Sequence, residues 1–151
     1  MSELLLWLTV AVLSASPFSE LRGGIPTGIA LGLDPVMVFV VALIFNALVF
    51  LPVYYGLEYT YGYFSTRWDW VRRLVEGIRD RRKDVIERYG LLGIVLFVAI
   101  PLPITGAWTG TLLAWLFIRD VRRAWPAVAV GVLIAGIIVM AITLLGANVL
   151  G

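Results

Sequence analysis

Glu20 and Arg22 are the two residues whose types and spacing most directly suggest chemistry. They lie in the segment Glu-Leu-Arg-Gly-Gly-Ile-Pro, residues 20–26, between apolar stretches that are each too short to cross a bilayer. An ionisable pair inside a hydrophobic region is costly and points to a functional site. The guanidinium of Arg22 suits an anionic group, and Glu20 can accept and release a proton. The pair predicts anion binding and proton coupling; a structural salt bridge at a hairpin tip is the alternative.

Gly23, Gly24 and Pro26 complete this first break in the apolar pattern. Glycine permits positive φ and close approach of the backbone, and proline is tolerated in the first turn of a helix. We therefore expect a tight turn here, followed by a new helix whose free N–H groups favour an anion. A plain helical hairpin would use the same residues.

The second break has the sequence Pro-Leu-Pro-Ile-Thr-Gly-Ala-Trp-Thr-Gly, residues 101–110. Pro101 and Pro103 remove two backbone donors and interrupt a helix. Thr105 and Thr109 would present hydroxyl groups on one face of the next helix, and for Thr105 we predict contact with a ligand or ion. Helix breaks at membrane depth persist only where the freed backbone groups are buried or line a wet cavity.

Three further residues, Gly106, Trp108 and Asn46, could belong to the same site. Gly106 and Gly110 are four apart and predict close helix packing more than ligand contact. Trp108 either closes the site or packs against it. Asn46 is the strongly polar side chain of a long apolar run, and we expect it to hydrogen-bond to one of the hairpins, as a structural bond or as part of a gate.

The composition restricts the classes of function. Of the 151 residues, 61% are hydrophobic and 15% are charged, against about 45–50% and about 25% in soluble domains. The chain has no Cys and no His, which removes thiolate nucleophiles, imidazole bases and the usual zinc ligands. We expect no enzyme activity, no metal and no cofactor.

The apolar runs define the elements that must position these residues. Only Val36–Leu57 and Ala124–Leu145 reach the roughly 20 residues of a spanning helix. The shorter runs flank the two breaks in pairs: Leu4–Phe18, Ile25–Leu33, Leu91–Ile100 and Ile104–Ile118. The pattern predicts an all-α integral membrane protein with two inverted repeats, each a re-entrant helical hairpin followed by one long transmembrane helix. Residues 1–151 would form a single membrane domain, with repeats at about 4–64 and 90–148.

The basic residues predict an orientation. Eight of the twelve Lys and Arg lie between Arg67 and Arg88, and three lie at 119–123. The positive-inside rule places both clusters in the cytoplasm. This favours either the hairpins or a variant with two full crossings over one kinked helix at 91–118, because the kinked helix would separate the clusters. We expect a multi-pass protein of the cytoplasmic membrane.

The segment 67–89 joins the predicted repeats. Its apolar residues recur at helical spacing between Arg, Asp and Glu, which predicts an amphipathic helix on the cytoplasmic surface, near anionic head groups. Aromatic residues crowd residues 54–68 and flank the 119–123 turn at Trp115 and Trp125. This placement is typical of belts that anchor helix ends at the interface.

The two breaks together resemble those of the small multidrug export proteins of bacteria and archaea, and through them the DedA/VTT membrane proteins. The resemblance covers nearly the whole chain. It implies two re-entrant hairpins that face each other, with embedded acidic and arginine residues needed for activity. In the wider superfamily it implies lipid movement, including recycling of polyprenyl-phosphate carriers, and dependence on the proton-motive force. The matching positions are Glu20, Arg22, Gly23, Pro26, Pro101, Pro103, Thr105, Gly106, Trp108 and Gly110.

Three functions are consistent with these patterns. The first is a secondary transporter or flippase, proton-coupled, for a small anionic or lipid-phosphate substrate. The second is a proton-coupled exporter of small cationic drugs through Glu20, which Arg22 would oppose. The third is a membrane scaffold that transports nothing. In each case we expect membrane lipids as surroundings, a homodimer or other homo-oligomer because the chain is small, and no nucleic-acid partner.

Overall fold

The described part of the chain is entirely helical. The computed structural model describes residues 2–81, 83–102, 105–118 and 120–150, without the side chains of residues 81, 83–88 and 148–150. Those residues form eight helices and no strand: α1 Glu3–Ala15, α2 Glu20–Ala30, α3 Pro35–Leu48, α4 Phe50–Arg67, α5 Asp69–Arg81, α6 Lys83–Ala99, α7 Ala107–Phe117 and α8 Val121–Leu150. The all-α prediction is confirmed for these residues.

Two of the apolar helical segments are long enough to cross a membrane: Pro35–Arg67, which comprises α3 and α4, and Val121–Ala147 within α8. They agree with the two long runs predicted from the sequence. By contrast, α1 has 13 residues, and α2 and α7 have 11 each. At 1.5 Å per residue these helices are about 17–20 Å long, well short of the roughly 30 Å hydrocarbon core.

The first long segment is interrupted once, at Val49, between α3 and α4. Pro52 explains the position, because its ring removes the hydrogen bond to the carbonyl of Leu48 and crowds that oxygen. The turn predicted at Asp34-Pro35 is present. The Asp34 carboxylate accepts a hydrogen bond from the backbone N–H of Met37 at 2.9 Å, and Pro35 occupies the first position of α3.

The first break lies earlier than predicted. The chain turns at residues 16–19, and Gly23, Gly24 and Pro26 lie inside α2. The expectation of a turn at Gly23-Gly24 was therefore wrong. The glycines serve packing instead: a Cβ added at Gly24 would overlap the Ser14 hydroxyl on α1. Because glycine has no side chain, α2 can approach α1 closely at Gly24.

Gly28 on α2 gives a direct test of this packing. A Cβ added there would lie 2.7 Å and 2.9 Å from methyl groups of Val38 and Val10. We expect Gly28→Ala to lower the free energy of unfolding by about 1–3 kcal/mol through overpacking. The control is Gly56→Ala on α4, where nothing lies within 4 Å of the added Cβ and better helix propensity should raise stability slightly. Thermal unfolding in detergent measures both, and equal melting temperatures for the two variants would contradict the packing role.

The segment between the two long apolar helical segments contains α5, α6 and α7. Across the predicted linker 67–89, the described residues are helical over Asp69–Arg81 in α5 and again from Lys83, where α6 continues through the apolar run to Ala99. After the second break, α7 begins at Ala107, three residues later than the start of the predicted run at Ile104.

Small residues also bring α6, α7 and α8 together. Added Cβ atoms at Gly110 on α7 and at Gly131 on α8 would both collide with Val98 of α6. The prediction of close packing at Gly110 is confirmed. The helices α1 and α2 both pack against α3, and α6 and α7 both pack against α8; α2 and α3 also contact α8, and α4 contacts α7. Both breaks are thereby brought to one place.

The helix α5 presents two apolar stripes. Val71 and Val75 are partly buried, whereas Trp70, Leu74 and Ile78 are exposed. A stripe at positions i, i+4 and i+8 lies along one face of a helix. An exposed apolar stripe on a helix rich in Arg is consistent with the predicted amphipathic surface helix.

Candidate functional site

Arg22 links the first hairpin to the break in the second. Its guanidinium donates hydrogen bonds to the backbone carbonyl of Leu102 and, at 2.8 Å, to that of Thr105. Both carbonyls belong to the non-helical stretch between α6 and α7, where they lack helical partners. No Lys or Arg lies between Arg88 and Arg119, so the second break has no basic residue of its own. Arg22 therefore supplies the positive charge at this position.

Glu20 lies against the beginning of α7. Its carboxylate accepts a hydrogen bond from the backbone N–H of Trp108 at 3.4 Å and lies 3.5 Å from the guanidinium of Arg22. Only 8% of the Glu20 side chain is exposed, against 25% for Arg22. A helix N-terminus carries free N–H groups and a partial positive charge, so it stabilises an anion. The Glu20 carboxylate thus occupies an anion position that Arg22 and α7 form together.

The backbone of Glu20 is itself unusual. Its φ angle is +49°, the one positive value at a non-glycine residue in the described chain. A non-glycine residue in the left-handed region costs energy unless its surroundings hold it there. Here the turn at residues 16–19 and the contacts of the carboxylate hold it. This strained conformation lies at the first residue of α2, and the Glu20 side chain there is directed toward the start of α7.

Gly106 is the residue that makes room for Glu20. A Cβ added at Gly106 would overlap the Glu20 carboxylate. Gly106 was predicted to serve helix packing, but its contact is with Glu20, and the packing prediction applies to Gly110 alone. Sequence spacing gave no signal of this pairing, because the two residues are brought together only by the meeting of the hairpins.

The Glu20–Arg22 pair borders a small, partly open pocket of about 10 Å³. That volume holds at most about one water molecule. Six of the predicted site residues line it, namely Glu20, Arg22, Asn46, Pro101, Thr105 and Gly106, and its remaining wall is mostly apolar and includes Val98, Val132 and Val139. In this conformation the ion pair fills the place where the two breaks meet.

The Thr105 hydroxyl forms hydrogen bonds to backbone atoms a few residues earlier in the chain. It bonds to the carbonyl of Ile100 and accepts from the backbone N–H of Leu102 at 3.0 Å. The predicted contact of Thr105 with a ligand stays a prediction; in this conformation the hydroxyl stabilises the broken segment after Pro101. Pro103 lies outside the described residues.

Trp108 and Asn46 tie the site to α1. The indole N–H of Trp108 donates to the carbonyl of Ala15 at 3.0 Å, and the side-chain amide of Asn46 donates to the carbonyl of Ser14 at 2.6 Å. Asn46 is 1% exposed, so the predicted bond to a hairpin is confirmed. Both side chains satisfy carbonyls at the end of α1, which the helix itself leaves free.

The other predicted site residues lie apart from the cavity. Gly23, Gly24 and Pro26 are on α2 and are absent from the cavity wall. Thr109 is also absent from the wall, and its hydroxyl donates to the carbonyl of Gly106 at 3.4 Å.

Ser14 was not predicted from the sequence. Its hydroxyl is buried without a hydrogen-bond partner in the described chain. A serine in an apolar helix gives no signal of that kind, because the partners depend on how α1 meets α2.

Comparison with models of known protein families gives a match. A family model described as a putative small multi-drug export protein covers residues 20–138. This range begins at Glu20 and includes both breaks, so the matched part contains the whole site described above. No curated protein and no solved structure matches the chain.

Proposed function

Because the chain belongs to the family of putative small multi-drug export proteins, a membrane protein family, we propose that it is a proton-coupled secondary transporter for a small anionic or lipid-phosphate substrate. One observation carries the proposal. The Glu20 carboxylate already occupies an anion position made by the guanidinium of Arg22 and the N-terminus of α7. A phosphate or carboxylate group of a substrate would meet the same donors.

The charge of the pair favours an anion over a cation. Arginine stays protonated at all physiological pH values, so the Glu20–Arg22 pair is neutral when Glu20 is ionised and carries +1 when Glu20 is protonated. It never becomes negative. Protonation of Glu20 would leave Arg22 and the α7 N-terminus with an uncompensated positive charge in an apolar region, and binding an anion restores neutrality. Proton and anion would therefore move together.

The small volume of the cavity at the Glu20–Arg22 pair supports a conformational cycle. A cavity of about 10 Å³ cannot hold a substrate, so binding requires that Glu20 leave its position and that the hairpins separate. In transporters with broken helices, sites near the midplane open alternately to the two sides as one repeat moves against the other. The proposed inverted repeats, with basic segments facing the cytoplasm, would supply that motion.

The test uses purified protein in liposomes that contain a pH-sensitive dye. We expect an added phosphate compound to acidify the lumen in protein-containing vesicles only. Inorganic phosphate and geranyl phosphate are the two probes, since they share the anionic group and differ in the lipid tail. A response to inorganic phosphate supports a soluble anion, and a response to geranyl phosphate alone supports a lipid phosphate. Absence of acidification with both contradicts the proposal.

Glu20→Gln isolates the coupling step. The amide cannot bind or release the proton, but it leaves Arg22 free for the anion. We expect uptake driven by a pH gradient to fall at least about tenfold, the scale of losing a positioned proton-transfer group, while exchange of labelled substrate across the membrane continues. The control is Glu76→Gln, which removes a 55% exposed carboxylate paired with Arg72 on α5. Unchanged pH-driven uptake in Glu20→Gln would exclude Glu20 as the coupling residue.

The alternatives predict different results. Export of small cationic drugs at this site would require a negative site, which the permanent charge of Arg22 opposes. A scaffold without transport would respond to changes at Glu20 or Arg22 only through stability. We propose residence in the cytoplasmic membrane, function without an enzymatic step, cofactor or nucleic-acid partner, and assembly as a homo-oligomer, for which cross-linking in membranes is the direct test.

A further inference from the structure

The end of α1 is held by side chains from two other helices. The carbonyl of Ser14 accepts a hydrogen bond from the side-chain amide of Asn46 on α3 at 2.6 Å. The carbonyl of Ala15 accepts one from the indole N–H of Trp108 on α7 at 3.0 Å. A helix leaves its own last carbonyls free, and Pro17 has no N–H to offer them. These two hydrogen bonds therefore fasten the end of α1 to α3 and α7.

Trp108 also holds Glu20. Its backbone N–H donates to the Glu20 carboxylate at 3.4 Å, while its indole N–H donates to the carbonyl of Ala15. The turn at residues 16–19 connects Ala15 to Glu20. One residue of α7 thus contacts both ends of this turn, so a displacement of the Glu20 carboxylate acts on the same segment that the indole holds.

The turn at residues 16–19 is held by hydrogen bonds more than by packing. The side chain of Phe18, within the turn, is 93% exposed. Ser14, at the end of α1, is fully buried, and its hydroxyl has no hydrogen-bond partner in the described chain. A buried hydroxyl without a partner costs free energy, which access of water would recover. Separation of the end of α1 from its neighbours is therefore favoured at Ser14 and opposed by Asn46 and Trp108.

From these contacts we infer that the end of α1 and the turn 16–19 form a gate beside the Glu20–Arg22 pair, and that Trp108 is the positioning residue that connects this gate to Glu20. The ionised carboxylate is held by the guanidinium of Arg22 and the N–H of Trp108, and the gate is closed. A neutral Glu20 loses this charge-assisted hold. The turn then moves, and Trp108 releases the carbonyl of Ala15.

The charge of Glu20 controls the gate because few other charges surround it. Arg22 is the other charged residue in the described wall of the pocket, and the residues that α3, α6, α7 and α8 contribute to that wall are uncharged. The inference rests on the proposed proton coupling at Glu20 and adds the part of the protein that moves. Its test measures no transport, so the gate and the proposed function can fail separately.

The test measures how fast a buried thiol reacts. The chain has no Cys, so Ser14→Cys introduces one thiol at a fully buried position without removing a hydrogen bond. The purified protein in detergent is treated with a water-soluble methanethiosulfonate reagent at one fixed pH. When opening and closing are fast, the rate of modification follows the fraction of molecules in which the gate is open.

Two substitutions should open the gate in the Ser14→Cys protein. Glu20→Gln removes a charged acceptor, and we expect the reaction rate to rise about tenfold or more. Trp108→Phe keeps an aromatic ring but removes the indole donor, and we expect a rise of about three- to tenfold. Together they should raise the rate by less than the product of the two effects, because they act through one contact. A full product would remove Trp108 as the connection.

Thr111→Cys is the matched control for loosening of the whole protein. Thr111 is also fully buried and lies on α7, three residues beyond Trp108. We expect its thiol to stay slow to react with Glu20→Gln and with Trp108→Phe. An unchanged rate at Ser14→Cys in the presence of Glu20→Gln would overturn the inference, as would equal increases at Ser14→Cys and Thr111→Cys.

Val10→Cys is the second reporter if Ser14→Cys fails to fold. Val10 is fully buried one turn earlier on α1, and cysteine is smaller than valine, so the change introduces no overlap. Its thiol should also react faster with Glu20→Gln than without it. If Trp108→Phe fails to fold, Glu20→Gln alone decides, and slow reaction of Val10→Cys with and without Glu20→Gln would refute the gate.

Discussion

Replacing Arg22 with alanine is expected to abolish substrate movement in proteoliposomes and to lower the melting temperature. The change removes two hydrogen bonds to the carbonyls of Leu102 and Thr105 and leaves the buried carboxylate of Glu20 without its partner. Loss of one partner of a buried ion pair costs about 3–5 kcal/mol. Uptake of a phosphate monoester and thermal unfolding of the same preparation measure the two effects.

Two comparisons separate the roles of Arg22. Arg123→Ala removes a charge that is 74% exposed and paired with Asp120 at 3.6 Å, and we expect little effect on transport or stability. Arg22→Lys keeps the charge but cannot donate to two carbonyls and the carboxylate with one planar group, so we expect substantial loss of uptake with part of the stability restored. Normal uptake in Arg22→Ala would remove the basis for anion transport at this site.

Replacing Gly106 with alanine is expected to have the second large effect. The added Cβ would overlap the Glu20 carboxylate, which would have to leave the N-terminus of α7. We expect loss of pH-driven uptake by at least about tenfold, because the proton acceptor is displaced, together with destabilisation of about 1–3 kcal/mol. The uptake assay and thermal unfolding apply here as well.

Gly93 provides the comparison for Gly106, since nothing lies within 4 Å of a Cβ added to it on α6. Gly93→Ala should transport normally. The double variant Gly106→Ala with Glu20→Asp shortens the side chain that the new Cβ would strike, so part of the lost stability should return. If the double variant were no more stable than Gly106→Ala, the contact between Gly106 and Glu20 would not explain the effect.

The sequence predicted the helical class, the two long apolar helices and the two breaks, because each rests on local properties such as apolar length, proline and glycine content, and charge. It placed the turn at Asp34-Pro35 correctly, since an N-cap carboxylate and a first-turn proline are local signals. It placed the first turn wrongly at Gly23-Gly24. Glycine in a helix is costly on its own, and only the close approach of α2 to α1 explains its presence there.

Some of the residues that meet at the candidate site were predicted from the sequence, but their contacts were not. Glu20, Arg22, Asn46 and Thr105 line one cavity, as expected for polar residues that must avoid lipid. The pairing of Glu20 with Gly106, and of Arg22 with the carbonyls of the second break, joins residues that are at least 80 positions apart. Such contacts involve backbone atoms, which carry no sequence signal, and they depend on how the two hairpins meet.

The most direct test of this account is the membrane sidedness of the segments that flank the two breaks, because we propose that the two hairpins enter the membrane from opposite faces. The chain has no Cys, so single cysteines can be placed at Asp34, Thr66 and Asp120 and labelled from each side of intact and inverted vesicles. The account predicts that Thr66 and Asp120 are labelled from the cytoplasm and Asp34 from outside. Asp120 on the side opposite Thr66 would make the segment 91–118 a crossing helix, and the opposed hairpins with their shared Glu20–Arg22 site would be wrong.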